Sequence, residues 1–148
     1  MYISTKVFDN YSIALRQWKA IHSHCQLMHG YALKFKIWFT SENLDDMNWV
    51  VDFGGFNNNG LKEWMNFMFD HTTLLEKDDP YLDIFQTLQM EGVMNVRVMD
   101  KMGCESLAKL VFDKFNDVLS KTDGGRSTVI KVEVFENEKN SAIYEIKN

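Results

Sequence analysis

The sequence predicts an α+β fold in which an antiparallel sheet carries helices on one face. Alternation of apolar and polar residues predicts strands near both ends of the chain, and apolar positions spaced by three and four predict helices in its middle. Strands and helices do not alternate one by one, as they would in a parallel sheet. We therefore expect four antiparallel strands and two helices in a single domain over residues 1–148.

The first two strands are predicted over residues 3–17 and 31–39. In each, large apolar side chains occupy alternate positions, with Asp9 as the exception, so one face of each strand should be buried. The residues expected to point inward are Val7, Tyr11, Ile13 and Leu15 in the first strand and Leu33, Phe35, Ile37 and Phe39 in the second.

Two helices are predicted between the strand pairs. "NNNG" supplies cap residues for the first helix, and "TDGG" ends the second. Val96 and Val98 indicate a short extended piece between them. The expected buried faces consist of Leu61, Trp64, Met65 and Met68 in the first helix and Leu107, Leu110, Val111, Phe115, Val118 and Leu119 in the second.

The last two strands are predicted over residues 128–136 and in "KNSAIYEIK", joined by a hairpin turn in "ENEKN". Ile130, Val132 and Val134 share one parity and should face the core. Glu136 continues that parity, and a carboxylate facing the core needs a partner. If the strand instead ends at Phe135, Glu136 is simply solvated.

Composition excludes several classes of function. The chain has a net charge of −5 and no cluster of basic residues, so it is not expected to bind nucleic acid. Its apolar runs are far shorter than the roughly 20 residues of a membrane span, and its first residues lack the apolar core of a secretory signal. Two cysteines do not make a disulfide framework. We expect a cytoplasmic protein without a membrane partner.

The stretch "HCQLMHGY", residues 24–31, contains the residue types of a metal site or of a nucleophilic thiol. His22, His24 and His29 are potential metal ligands, and neighbouring imidazolium groups favour the reactive thiolate of Cys25. Isolated cysteines are more often inert packing residues. Gln17 continues the inward parity of the first strand, and His29 with Tyr31 continues that of the second.

Three further polar residues lie at helix ends. Asp70 and His71 close the first helix, where the helix dipole favours an imidazolium ion. Glu105 lies in the first turn of the second helix, where an acidic side chain complements the dipole. Ordinary capping and dipole complementation are the more common reasons for residues of these types at helix ends.

Five stretches, in order along nearly the whole chain, resemble the 6-pyruvoyltetrahydropterin synthase and 6-carboxytetrahydropterin synthase family. They correspond to the family's Cys–His motif, its Val–x–Asp–Phe motif, its Asp–His motif, the start of its second helix and its terminal hairpin. The stretches are "CQLMHGYAL", "NWVVDF", "FDHTTLL", "MGCESLA" and "VFENEKNSAIY".

This resemblance implies a T-fold, whose sheets join between subunits into a barrel, and a homo-oligomer that is a hexamer of two trimers. It implies a lyase that acts on 7,8-dihydroneopterin triphosphate in queuosine or tetrahydrobiopterin biosynthesis. Cys25 would be the proton-abstracting base, supported by Asp70 and His71. Glu136 would anchor the pterin ring, with Glu105 as a second glutamate in the pocket.

The resemblance also implies Zn²⁺, held in the family by three histidines. The corresponding positions here are Gln17, His29 and Tyr31, so one imidazole remains. His22 or His24 could substitute. The Pro-Thr expected before Glu105 is replaced by Met102 and Gly103. Besides a divergent lyase, a T-fold pterin- or purine-binding protein without catalysis and a small α+β protein with a structural histidine cluster remain open.

Overall fold

The computed structural model describes residues 1–147 and contains one mixed sheet of six strands together with three α-helices. Short 3-10 helices cover His24–Gln26 and Gly54–Asn57. In chain order the main elements are β1 (Tyr2–Leu15), β2 (His29–Ser41), α1 (Leu61–Phe69), β3 (Thr72–Glu76), α2 (Leu82–Met90), β4 (Val96–Met99), α3 (Cys104–Thr122), β5 (Thr128–Phe135) and β6 (Ser141–Glu145).

The strand order across the sheet is β4-β3-β1-β2-β5-β6. The four strands predicted from the sequence pair antiparallel, whereas β3 runs parallel to β1 and β4 runs parallel to β3. The prediction of four strands is therefore wrong. All five residues of β3 are buried, so this strand shows no alternation of apolar and polar residues. The extended piece predicted around Val96 and Val98 is β4.

The prediction of two helices is also wrong, because α2 lies between β3 and β4. It contributes no buried residue, and its apolar Ile84 and Leu88 are exposed. A helix with so little contact to the core leaves a weak periodic signal in the sequence. No helix within residues 1–147 combines the length and the apolar character needed to cross a membrane.

A β-bulge interrupts β1 and changes which of its side chains face inward. The register with β2 shifts between Phe8 and Tyr11, and Asn10 adopts a positive φ of 62°. An extra residue in a strand reverses the parity of every residue beyond it. Val7, predicted to be inward, is therefore 42% exposed, and Phe8 is buried in its place.

A second register shift affects β5 in the same way. It lies between Trp38 and Phe39 of β2, and it places Val129 opposite Phe39. Val129 is fully buried, whereas the predicted Ile130 is only partly buried. The inward orientation of Val132 and Val134 is confirmed.

The core lies between the sheet and the helices α1 and α3. Asn59 caps α1 through its side-chain oxygen, which accepts a hydrogen bond from the Leu61 N–H at 3.1 Å. On α3, Leu107, Val111, Phe115 and Leu119 are buried as predicted. Aromatic rings fill much of the space, and the Phe35 and Phe69 centroids are 4.7 Å apart. These contacts hold α1 and α3 against the sheet.

We expect Tyr11 to make the stability of this core sensitive to alkaline pH. Its hydroxyl donates to Asn66 Oδ1 at 3.0 Å, and burial, followed by the charges of Asp70 and Asp9, raises its pKa from 10.0 to about 12. The unfolded chain loses this proton first, so we expect the free energy of unfolding to fall as the pH rises from 10.0 towards 12.

Denaturant titrations of the wild type and of Tyr11→Phe across this pH range measure that effect. The substitution should cost about 0.5–1.5 kcal/mol at neutral pH, the value of one hydrogen bond, and should reduce the alkaline slope. An equal slope in both proteins would contradict the assignment of that loss of stability to Tyr11.

Candidate functional site

Several of the predicted site residues meet at one end of the β1–β2 pair. Pairing places Tyr31 opposite Ile13 and His29 opposite Leu15, at the last residues of β1. Gln17 follows two residues later, and its backbone N–H donates to the carbonyl of Cys25 at 2.8 Å. The loop that carries Cys25 thus folds back onto the end of β1.

Cys25 is held by a short helical turn. It lies within the 3-10 helix His24–Gln26, and its N–H donates to the side-chain oxygen of Ser23 at 3.2 Å. The residue is partly buried. The backbone of Cys25 is therefore held in place, and its thiol remains accessible to a small molecule.

Tyr31 lies among carboxylate and thiol groups. Burial raises its pKa to about 12, followed by the charge of Glu136 and by weaker effects of Cys25 and Cys104. Burial also raises the pKa of Cys104 to about 12, with contributions from Glu136 and Glu105. These effects place Glu136 and the two thiols around the Tyr31 phenol, and Glu105 beside Cys104.

Glu136 follows directly after β5 and is partly buried. Its N–H donates to the carbonyl of Asn140 at 3.2 Å, which closes the predicted hairpin turn. The groove beside Glu136 has a volume of about 510 Å³, which lies within the roughly 300–1,000 Å³ of small-molecule sites. Gly30, Tyr31 and Lys34 of β2 line its other side.

The start of α3 is fastened to the end of β1. Gln17 Nε2 donates to the Met102 carbonyl at 3.2 Å, and the Met102 N–H donates to the buried carboxylate of Glu76 at 3.0 Å. Gly103 follows with a φ of 130°, which favours glycine. Glu105 Oε2 and Gln17 Nε2 each lie 3.2 Å from the position that a Cβ on Gly103 would take.

Sequence reasoning missed Cys104, Gly103 and Glu76. Cys104 stands directly before the predicted site residue Glu105 at the start of a helix, and this position could have indicated that it lies near the site. Glu76 acts across a sequence separation of 26 residues, through a single hydrogen bond to Met102. No local pattern reveals a contact of this kind.

The three positions that correspond to the family's zinc ligands do not fit a catalytic zinc ion. Gln17 directs its amide N–H to Met102, and His29 has hydrogen-bonding distances from Nδ1 to the Leu27 carbonyl (2.6 Å) and from Nε2 to the Tyr31 hydroxyl (3.1 Å). Catalytic zinc needs three nitrogen, oxygen or sulfur ligands. Within residues 1–147, no three His, Cys, Asp or Glu side chains are grouped to hold a metal, and this includes His22 and His24.

Asp70 and His71 form a pair on the other side of β1. Their side chains meet at 2.9 Å from Asp70 Oδ1 to His71 Nδ1, and the His71 N–H donates to the Ser12 carbonyl at 2.8 Å. His71 has a positive φ of 57°, a strained conformation for a histidine. Among residues 1–147, no hydrogen bond or ion pair joins this pair to Cys25.

Comparisons with known proteins agree with this architecture. The model of the family described as 6-pyruvoyl tetrahydropterin synthase matches residues 4–147. The 6-carboxy-5,6,7,8-tetrahydropterin synthases of Rickettsia typhi and Rickettsia bellii are each 34% identical over 55 residues. That stretch is 37% of this chain and 39% of those relatives, so the match spans about two fifths of their length.

Two solved structures share the fold over almost their whole length. An uncharacterized protein from Wolinella succinogenes has a TM-score of 0.83 at 18% identity, with 99% of this chain and 98% of that chain covered. The 6-pyruvoyl tetrahydropterin synthase of Caenorhabditis elegans has a TM-score of 0.64 at 19% identity, with the same coverage of 99% and 98%.

Proposed function

Because the chain belongs to the 6-pyruvoyl tetrahydropterin synthase family, we propose that it is a carbon–oxygen lyase acting on a pterin-type small molecule. The proposed substrate is 7,8-dihydroneopterin triphosphate, from which the enzyme eliminates triphosphate and on whose side chain it moves protons. The product is a pyruvoyl- or carboxy-type tetrahydropterin.

The observation that carries this proposal is the grouping of Cys25, Tyr31, Glu105 and Glu136 at one end of the sheet. The groove beside Glu136 and Tyr31 offers space for a pterin ring. A carboxylate suits the paired N–H groups on the edge of such a ring, because both of its oxygens can accept hydrogen bonds. A thiolate beside the bound ring could abstract a proton from its side chain.

In this proposal Glu136 binds the ring and Cys25 is the base. The 3-10 helix directs the thiol, and the Ser23 cap holds that helix in place. Cys104 keeps its proton at neutral pH because burial raises its pKa to about 12, so it does not compete as a base. Glu105, exposed at the start of α3, is the second carboxylate available to the ligand.

Among residues 1–147, no hydrogen bond or ion pair joins Asp70 or His71 to Cys25, so this pair is proposed to support the Cys25 of another copy of the chain. We therefore propose active sites at subunit interfaces. His71 is largely exposed, with 79% of its side-chain surface accessible, and so is available to a neighbouring subunit.

The sheet itself favours the assembly of a homo-oligomer. β3 pairs with β1 only at Ile13–Leu15, which leaves residues 2–12, nearly four fifths of that edge of β1, without a partner strand among residues 1–147. β6 is the opposite edge of the sheet. Exposed strand edges favour pairing with another chain, and the proposed assembly is a hexamer in which the sheets continue between subunits.

A second candidate function is binding of a pterin or purine without turnover. The lack of a fitting zinc donor set at Gln17, His29 and Tyr31 favours it, because the metal-assisted part of the family's chemistry then has no support. The two candidates share the ring-binding role of Glu136 and differ in whether triphosphate is released.

Glu136→Gln tests the role that both candidates share. The substitution removes the charge and keeps the shape of the side chain, so it should weaken pterin binding by roughly 1.5–3 kcal/mol, the value of a hydrogen bond to a charged group. Titration of the protein with neopterin, followed by the quenching of pterin fluorescence, measures this loss.

Glu145→Gln is the matched control, because Glu145 is an exposed glutamate on the neighbouring strand β6 and does not line the groove. It should bind neopterin as the wild type does. Unchanged binding by Glu136→Gln, in a protein that binds neopterin, would show that Glu136 does not hold the ring.

A further inference from the structure

We propose that Gln17 determines which pterins the site prefers, through an amide oxygen that accepts a hydrogen bond from a hydroxyl group on the ligand's side chain. This inference rests on the proposed function for the presence of a pterin ring in the groove. It adds the part of the ligand that is recognised beyond the ring, a polyhydroxylated substituent, and a recognition that needs no metal ion.

The first support is that the Gln17 amide is held in a fixed direction. Its Nε2 donates to the Met102 carbonyl at 3.2 Å, while the Met102 N–H is held at 3.0 Å by Glu76. Glu76 is only 8% exposed, so this anchor lies within the protein. A side chain restrained by such contacts loses less conformational entropy when a ligand binds.

The second support is that the amide oxygen remains free. Among residues 1–147, the only side-chain hydrogen bond of Gln17 is the one from Nε2, and its Oε1 is not among the buried polar atoms without partners. This oxygen is therefore open to solvent or to a ligand. An amide oxygen has two lone pairs and accepts hydrogen bonds from hydroxyl groups.

The third support is the bare backbone of Gly103. Gln17 Nε2 and Glu105 Oε2 converge on the space that a Cβ would fill, each at 3.2 Å from it. The amide nitrogen of Gln17, a donor, and a carboxylate oxygen of Glu105, an acceptor, thus lie on the same side of the loop. Hydroxyl groups both donate and accept hydrogen bonds, so adjacent hydroxyl groups on one substituent match the Gln17 amide and the Glu105 carboxylate.

Recognition of hydroxyl groups by Gln17 requires no metal ion, which agrees with the residues at this end of the sheet. A neutral amide does not act as a Lewis acid, so Gln17 positions hydroxyl groups and does not acidify them. His29 and Tyr31 are hydrogen-bonded to each other at 3.1 Å and leave no set of three metal ligands at this end of the sheet within the described residues. Gln17 is therefore a specificity-determining residue and not a catalytic one.

The test compares the dissociation constants of neopterin, which carries three hydroxyl groups on its side chain, and 6-methylpterin, which carries none. The wild-type protein should prefer neopterin by roughly three- to tenfold, the value of one neutral hydrogen bond. Gln17→Leu should abolish this preference and leave the affinity for 6-methylpterin unchanged. Gln17→Met, which keeps an unbranched side chain, serves if the leucine variant does not fold.

Gln26→Leu is the matched control, because Gln26 also donates its amide N–H to a backbone carbonyl, that of Ile21 at 3.3 Å, in the same loop. It should keep the full preference. Neither a chelator nor added zinc should change the preference of the wild type.

Equal binding of the two pterins by the wild type, or a preference that survives in both Gln17 variants, would overturn this inference and leave the ring-binding function intact. A preference that a chelator removes and zinc restores would also overturn it. Binding of neither pterin would overturn the proposed function and this inference together.

Discussion

The Cys25→Ala variant is expected to lose turnover of 7,8-dihydroneopterin triphosphate by roughly 10²- to 10⁴-fold, the usual contribution of a general base. The thiol lies in a 3-10 helix at the end of the sheet, and alanine cannot accept a proton there. Binding of the pterin ring should change little, because the proposed contact to the ring comes from Glu136. Steady-state release of triphosphate, measured beside neopterin binding, separates the two effects.

Cys104→Ala is the control for this prediction. Cys104 is the second thiol near Tyr31, and burial raises its pKa to about 12, so it stays protonated at neutral pH. Its loss should reduce turnover by less than about tenfold, because no proton transfer depends on it. A larger loss in Cys104→Ala than in Cys25→Ala would contradict the assignment of Cys25 as the base.

A second large effect is expected when Cys25→Ala and His71→Ala chains are produced together. Each variant alone should be inactive if both residues are required. Because no hydrogen bond or ion pair among residues 1–147 joins Cys25 to the Asp70–His71 pair, mixed oligomers should contain interfaces that combine an intact Cys25 with an intact His71. In a random assembly of equal amounts, half of the sites carry an intact Cys25 and half of those face an intact His71, so about a quarter of the sites are restored.

The measurement is the turnover of co-purified mixed oligomers that carry a different affinity tag on each variant. Double-tagged material should recover about a quarter of the wild-type rate. A mixture of the two separately purified variants, assayed before subunits exchange, is the matched control and should remain inactive. Mixed oligomers with no recovered activity would show that Asp70 and His71 do not support Cys25 across an interface.

Much of the central architecture could be predicted from local patterns. The alternation in β2 gave its buried face correctly, because Leu33, Phe35 and Phe39 pack in one direction without interruption. Local patterns failed where the structure departs from regular geometry. Because of the bulge before Tyr11, Phe8 is buried and Val7 is exposed. A bulge adds a residue to a strand without any change in composition that would reveal it.

β3 and α2 were missed for opposite reasons. β3 is buried at every position, so its sequence has no polar alternation to reveal a strand. α2 has no buried residue, so its apolar positions form no core-facing stripe. β3 and β4 run parallel to their neighbours, so the sheet is mixed and not antiparallel as predicted.

Part of the candidate site could be predicted because strand parity carries over to the residues just beyond a strand. Tyr31 and Glu136 share inward parity on neighbouring strands, and the structure places their side chains close enough to interact. The contact between Gln17 and Met102 could not be predicted. It joins residues 85 positions apart, and a single hydrogen bond of this kind leaves no periodic trace.

The most direct test of the central claim is the reaction of the purified wild-type protein with 7,8-dihydroneopterin triphosphate. Pterin product and inorganic triphosphate are quantified in the same sample, by chromatography with absorbance and phosphorus detection. A lyase predicts equal amounts of the two products, formed at a rate that Cys25→Ala abolishes. Tight binding of the pterin with no triphosphate released above the level of Cys25→Ala would contradict the account and establish a binding protein in its place.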